Sequence, residues 1–148
     1  MRVYIASKYN EYGINREIFN RLSQNGIFSF LPESINKVET SIEAATEIRN
    51  ICINEIKKST ILLVIDAKEM FGSDVGWEVG YAYALKTELN YPIEIVNLKL
   101  NTDLQRIRAM NDPCFSYVSF SIDEMIDYLV KKQSVEENNR QEIRSQVY

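Results

Sequence analysis

The sequence contains no histidine and only two cysteines. Without an imidazole, neither a Ser-His nor a Cys-His catalytic pair can form, and the commonest nitrogen ligand of metals is missing. Cys52 and Cys114 lack metal-type spacing and are too few for a disulfide framework, which favours a reducing cytoplasm. An enzyme of this composition must therefore use carboxylates, tyrosines or hydroxyl groups, and no metal or organic cofactor is implied.

An excess of basic residues and a long apolar segment are missing too. Lys and Arg number 17 against 21 Asp and Glu, so the formal net charge is −4 and we expect no nucleic-acid partner. No apolar run approaches the roughly 20 residues that span a bilayer, so we expect no membrane association. A chain of 148 residues with 45% hydrophobic content predicts one domain with a buried core, and we expect it in the cytoplasm.

Apolar runs and helical periodicity alternate along the chain. The predicted strands cover residues 3–6, 27–31, 61–65, 92–96 and 115–120. Between them, apolar residues recur at helical spacing, and Asn25-Gly26 supplies a left-handed helix stop. Strands that alternate with helices predict a flavodoxin-like (Rossmann-like) α/β fold, with five parallel strands and helices on both faces of the sheet.

Capping signals set several predicted helix boundaries. Thr40 with Glu43 predicts a helix that runs to about Lys58, and Ser121 with Glu124 predicts one that runs to about Lys132. A short helix is predicted over 102–110. The polar segment 133–148 is expected to be frayed helix or disorder unless a partner subunit orders it, so the predicted organisation is a domain, 1–132, followed by a tail.

The segment 71–85 follows the most apolar predicted strand, at the strand-to-helix passage where parallel sheets bind ligands. Glu78 is predicted in the first helical turn, between Gly76 and Gly80 and beside Trp77, the only tryptophan. The amino end of a helix favours the ionised carboxylate, which suits a nucleophile or a base, and the glycines let a ligand approach the backbone. The alternative is a solvated glutamate that only complements the helix dipole.

Two segments resemble motifs of the nucleoside 2-deoxyribosyltransferase superfamily: Tyr4-Ile-Ala-Ser7 and Gly76-Trp-Glu-Val-Gly-Tyr-Ala82. The glutamate of the second motif is the family's nucleophile, so the resemblance implies that Glu78 cleaves or transfers the N-glycosidic bond of a (deoxy)nucleoside or nucleotide. It also implies a set of substrate-binding positions. These are Tyr4, Ala6, Ser7, Gly72, Gly76, Trp77 and Asp103.

The sequence departs from the family pattern at two acidic positions. Gly72 stands where an aspartate precedes the nucleophile by six residues, and a second family aspartate falls on Cys52, which its apolar helix face also suits to the core. Asp66, Asp74 or Asp103 is then the candidate acid that assists departure of the base. The alternative for each is a loop cap or a solvated turn residue.

Other interpretations stay open. A TIR-like NAD glycohydrolase would also use Glu78, and a non-enzymatic nucleotide-binding sensor would explain the missing acids. The aromatic residues of the predicted helix, Trp77, Tyr81 and Tyr83, suit a subunit interface better than base stacking. The resemblance adds that family members complete their pockets across subunits. We therefore expect a homo-oligomer, a dimer or higher. Arg106 and Arg108 suit a phosphate or, preferably, an exposed helix face.

Overall fold

The computed structural model describes residues 1–8, 12–35, 40–68, 71–101 and 107–146. Strands and helices alternate along these residues. The strands are β1 (Arg2–Ala6), β2 (Phe28–Phe30), β3 (Ile61–Asp66), β4 (Glu94–Lys99) and β5 (Tyr117–Ser119). The helices are α1 (Tyr12–Gln24), α2 (Ile42–Lys58), α3 (Ser73–Leu89) and α4 (Ile122–Gln146).

The five strands form one parallel sheet in the order β2-β1-β3-β4-β5. β3 lies in the middle, and all six of its residues are buried, because this apolar run is covered on both faces. Tyr4 lies opposite Leu62 in the register of β1 and β3. This strand order is that of flavodoxin-like sheets, which confirms the predicted fold class.

Helices cover both faces of the sheet, as predicted. Apolar residues of α1 and α4, among them Leu22 and Leu129, pack on one face in a single cluster. A second cluster on the other face joins α2 and α3 and includes Cys52 and Val79. Because successive strand residues point to opposite faces, Ile5 belongs to the first cluster and Tyr4 to the second.

Local chemistry sets the helix ends. Gly26 has φ +70°, the left-handed conformation predicted for the stop after α1. Ser121 accepts a hydrogen bond from the Glu124 backbone N–H at 3.1 Å, so this predicted cap is confirmed. The cap predicted at Thr40 was wrong by one residue. Ser41 caps α2, because its hydroxyl accepts a hydrogen bond from the Ala44 backbone N–H at 3.1 Å.

The segment before β5 differs from its prediction. Residues 107–110 form loop and turn, followed by a short 3-10 helix, Asp112–Cys114, while residues 102–106 of the predicted helix lie outside the described residues. The Arg108 side chain is only 10% exposed and binds Asp66 and Asp112, so the expected exposed helix face was wrong at this position. Arg106 lies outside the described residues.

α4 continues past Lys132, its predicted end, to Gln146. The predicted division into a domain, 1–132, and a tail, 133–148, stays a prediction, although one helix joins the two. Within the described ranges, no helix combines the length and the apolar character needed to cross a bilayer.

Candidate functional site

The candidate site lies where the carboxyl ends of β1 and β3 approach the first two turns of α3. The connection from β1 to β2 runs over one face of the sheet through α1, and the connection from β2 to β3 runs over the other face through α2. The chain therefore diverges between these two neighbouring strands. In open parallel sheets, this divergence leaves a crevice in which ligands bind.

The Tyr4 hydroxyl donates a hydrogen bond to the Oε1 atom of Glu78. Tyr4 is fully buried in β1, and its ring centroid lies 5.6 Å from that of Phe30. A strand side chain thus holds the carboxylate of a helix residue 74 positions later in the chain. Because Tyr4 cannot move within the packed core, this bond fixes where the Glu78 carboxylate points.

Glu78 lies in the second turn of α3 and not in the first turn as predicted, since the helix begins at Ser73. Asp74 occupies the first turn. The free N–H groups of a helix are confined to its first four residues, so they do not serve Glu78. The partner that favours its ionised form is instead the Tyr4 hydroxyl.

Burial raises the pKa of Glu78 to about 7, the Tyr4 hydrogen bond opposes this rise, and the negative charge of Asp74 adds to it. Burial, together with the nearby Glu78 and Cys52 groups, raises the pKa of Tyr4 far above its usual value. The tyrosine therefore remains a protonated donor, while the glutamate changes charge near neutral pH. Such a carboxylate can act as a nucleophile or a base above pH 7 and carries a proton below it.

Cys52 joins this pair from α2. Its thiol interacts with the Tyr4 hydroxyl, and burial raises the pKa of the thiol, with a smaller contribution from the charge of Glu78. The resemblance placed a family aspartate at this position, and the structure places the residue beside Tyr4. The core expectation is also met, because Cys52 packs in the buried cluster of α2 and α3.

Asp66 has a different environment from that of a free catalytic acid. Its carboxylate accepts hydrogen bonds from Arg108 Nη1 and Nη2 at 3.0 and 2.9 Å, from Asn97 Nδ2 at 3.0 Å and from the Phe71 backbone N–H at 2.9 Å. It is 1% exposed. Through these hydrogen bonds Asp66 anchors the end of β3 to Asn97 of β4, to Arg108 and to the loop before α3.

Arg108 links this anchor to the start of α3. Its guanidinium also binds Asp112 at 2.7 Å and lies 4.0 Å from the centroid of the Phe71 ring. A Cβ atom at Gly76 would lie 3.8 Å from the same ring and 3.9 Å from Asn111 Nδ2, an ordinary contact. The network therefore supports the first turn of α3 from the side of β4.

The predicted loop positions surround the amino end of α3. Gly72 is its N-cap residue, without a side-chain cap, and a Cβ atom there would lie 3.7 Å from the Cε atom of Lys8. The loop after β1 thus reaches the position where the family has an aspartate. Ala6 ends β1 as a buried residue, and Ser7 follows it, partly exposed.

The remaining predicted site residues lie at the surface or outside the described ranges. Trp77 is 48% exposed and stacks on Tyr81, with ring centroids 5.3 Å apart. A Cβ atom at Gly80 would meet open space. Asp103 lies outside the described residues. Among those described, no three His, Cys, Asp or Glu side chains cluster as metal ligands.

Among the residues that the sequence did not assign to the site, Asn97 and Arg108 bind Asp66, and Lys8 and Asn111 lie close to Gly72 and Gly76. Lys8 follows the predicted strand-one motif directly, which is its only sequence signal. Arg108 was noted with an exposed alternative preferred, and its pairing partner lies 42 residues away in sequence. Asn111 carried no signal.

Comparison with solved structures shows that other proteins share this fold. The 2-deoxyribosyltransferase of the psychrotolerant bacterium Bacillus psychrosaccharolyticus superposes with a TM-score of 0.70 at 19% identity, over 86% of this chain and 92% of that one. A conserved protein from Enterococcus faecalis V583 gives a TM-score of 0.68 at 15% identity, over 90% and 98%. The CMP N-glycosidase BcmB of Clostridium botulinum gives 0.54 at 13% identity, over 87% and 97%.

Comparison with protein-family models finds no match, and neither does comparison with curated protein sequences. The structural likeness confirms the predicted resemblance at the level of the fold.

Proposed function

We propose that this chain, which has the fold of 2-deoxyribosyltransferases and of a CMP N-glycosidase, cleaves or transfers the N-glycosidic bond of a (deoxy)nucleoside or nucleotide. The observation that carries the proposal is the hydrogen bond from the buried Tyr4 hydroxyl to the Glu78 carboxylate at the strand crevice. Enzymes that break glycosidic bonds with retention use such a positioned carboxylate.

In the proposed reaction, Glu78 attacks the anomeric carbon of the sugar. The bond from this carbon to the base nitrogen breaks, and its electron pair leaves with the base. A glycosyl ester of Glu78 remains. An acceptor base or water then attacks the same carbon, and the carboxylate is released, so the sugar keeps its anomeric configuration. The attacking group loses one proton and the departed base takes up one, so the reaction is balanced.

Tyr4 supports both steps as a fixed donor. Its hydrogen bond leaves only one carboxylate oxygen of Glu78 free for the attack and sets the direction of that oxygen. Hydrogen bonds to charged groups contribute about 1.5 to 3 kcal/mol. This contribution favours the second step, in which Glu78 is released as a carboxylate, while the orientation of the free oxygen favours the first.

Asp74 is the acidic residue that we propose to assist departure of the base. It lies four residues before Glu78 on the same helix, and its charge acts on the Glu78 carboxylate. It is exposed at the start of α3, where a ligand in the crevice can reach it. Asp66 is not proposed for this role because Arg108, Asn97 and the Phe71 N–H occupy its carboxylate.

We also propose that the active form is a homo-oligomer in the cytoplasm, in which a second subunit covers the exposed aromatic surface of α3. Trp77 and Tyr83 are 48% and 45% exposed on the helix that carries Glu78. Covering them would also exclude water from one side of the site. Light scattering at micromolar protein concentration tests this association by comparing the molar mass of the unmodified protein with that of the variant that combines Trp77→Ser and Tyr83→Ser.

The activity test is incubation of the protein with deoxynucleosides, deoxynucleotides and NAD, with and without an acceptor base, followed by chromatography of the released bases. Base release from a deoxynucleoside or deoxynucleotide supports the proposal. Exchange of the base when an acceptor is present identifies a transferase, and release without exchange identifies a hydrolase. Turnover of NAD alone would instead favour the TIR-like reaction.

A binding protein without catalysis is the alternative that Gly72 and Cys52 favour, since both stand at acidic positions of the family motif. Saturable binding of a nucleotide without release of any base, under every pairing of substrate and acceptor, would identify this function.

A further inference from the structure

A second candidate binding site lies at the amino ends of the strands, opposite the end that carries Glu78. α4 begins beside the carboxyl end of β5 and runs antiparallel to the sheet, so that Lys132 reaches Glu94, the first residue of β4. At about 1.5 Å per residue, the 14 residues after Lys132 extend about 20 Å past this edge. The extension forms one wall of a cleft, and the strand edge forms the other.

The cleft is a cavity of about 560 Å³ that is widely open to solvent. Its floor is made by the segment that leads into β4, including Tyr91 and Pro92, and Lys86 enters from the last turn of α3. Asn139 and Arg140 of α4 line the other side. The volume falls within the range of about 300 to 1,000 Å³ that is usual for small-molecule sites.

The two carboxylates of the cavity are already engaged. Glu94 accepts from Lys132 Nζ at 2.5 Å and from the Tyr128 hydroxyl at 3.2 Å. Burial favours a higher pKa for Glu94, but the Lys132 ammonium overrides this effect and holds the pKa below its usual value. Glu136 lies 3.4 Å from the Met1 nitrogen. Both acids are therefore neutralised or hydrogen-bonded by protein groups.

The basic residues of the cavity outnumber its acids. Lys86, Lys132 and Arg140 face the two carboxylates, which leaves one net positive charge. In the part of the chain that the structure describes, neither Lys86 nor Arg140 forms a hydrogen bond or a close ion pair, although the charge of Lys86 acts on Glu94. Two cationic side chains thus line one cavity without a hydrogen-bond acceptor among the described residues.

We propose that this cavity binds a small organic anion, whose phosphate or carboxylate group is held by Lys86 and Arg140 and whose apolar part lies against Tyr91 and Pro92. Guanidinium and ammonium groups form charge-assisted hydrogen bonds with such anions, and the Asn139 amide adds a neutral donor. The site is separate from Glu78, and it stands whether or not the chain cleaves N-glycosidic bonds.

Titration of ¹⁵N-labelled protein with inorganic pyrophosphate, with citrate in a second series, tests the proposal. Saturable shifts of the backbone amides of Lys86, Tyr91, Asn139 and Arg140 are expected, with a Kd below about 10 mM. Pyrophosphate binding without citrate binding identifies a phosphate site, and the reverse identifies a carboxylate site.

Lys86→Gln combined with Arg140→Gln should weaken this binding at least about 10-fold, since two charge-assisted contacts are lost. Lys131→Gln on the exposed side of α4 is the matched control and should leave the Kd unchanged. If the double variant does not fold, as judged from its spectrum, Lys86→Gln alone replaces it. Absence of saturable shifts, equal Kd values for the variant and the control, or shifts confined to residues 72–75 would overturn the proposal.

Discussion

The hydroxyl of Tyr4 and the carboxylate of Glu78 form one hydrogen-bonded pair, although they stand on different elements and 74 residues apart. The pair joins β1 to α3 across the crevice beside β3. The two side chains differ in how they hold a proton near neutral pH. Tyr4 keeps its proton, whereas Glu78, with a pKa of about 7, is charged above neutrality and protonated below it.

Tyr4→Phe removes this donor while keeping the packed ring. The Tyr4 bond lowers the pKa of Glu78, so its loss should raise that pKa further and move the acid limb of the pH-rate profile above pH 7. We expect kcat to fall about 10- to 100-fold at neutral pH, because less of Glu78 is ionised and its attacking oxygen is no longer held in place. The measurement is base release as a function of pH.

Tyr128→Phe is the control for this change, because Tyr128 also donates to a glutamate, Glu94, but at the far end of the sheet. Its pH profile should match that of the unmodified protein. An unchanged acid limb in Tyr4→Phe would contradict the role given to the hydroxyl.

Asp74→Asn should move the same acid limb in the opposite direction. The negative charge of Asp74 raises the pKa of Glu78, so its removal favours the ionised carboxylate and extends activity to lower pH. If Asp74 also assists departure of the base, kcat on the plateau falls as well. An acid limb that moves upward would contradict the electrostatic coupling of the two residues.

Arg108→Gln should lower the free energy of unfolding by about 3 to 5 kcal/mol, because it leaves the Asp66 carboxylate buried without its ionic partner. Urea denaturation measures the change. Arg21→Gln is the control, since its partner Asp123 has an 82% exposed side chain and such pairs contribute below about 1 kcal/mol. Equal losses in the two variants would show that the anchor is not buried in solution.

Gly80→Ala should stabilise α3 by about 0.5 to 1 kcal/mol, because a Cβ atom there meets open space and alanine favours a helix. Gly26→Ala should destabilise the protein, since Gly26 has φ +70°. Thermal unfolding of the two variants measures both changes.

The fold followed from the sequence because its signals are local. Each apolar run, the Asn25-Gly26 stop and the Ser121 cap depend on a few neighbouring residues, and the alternation of strands and helices then restricts the topology. The position of Glu78 at a strand-to-helix passage follows in the same way. The helical turn in which Glu78 lies was predicted wrongly, because no local signal identified Ser73 as the first helical residue.

Long-range pairs could not be predicted. Asp66 was a candidate acid because it follows a predicted strand, but its partner Arg108 lies 42 residues later in a segment that was predicted as a short helix. The interaction of Tyr4 with Glu78 and Cys52 requires the register of β1 and the packing of α2 and α3 on one face. The continuation of α4 to Gln146 was missed because a polar segment without an apolar face carries no helical pattern.

As the proposed nucleophile, Glu78 bonds covalently to the sugar during turnover. The most direct measurement is peptide mass spectrometry after the reaction with a deoxynucleoside or deoxynucleotide is quenched in acid. We expect the added mass of the sugar, or sugar phosphate, on the peptide that contains Glu78. With Glu78→Gln we expect neither this adduct nor base release. Base release by Glu78→Gln at the rate of the unmodified protein, or an adduct on another residue, would contradict it.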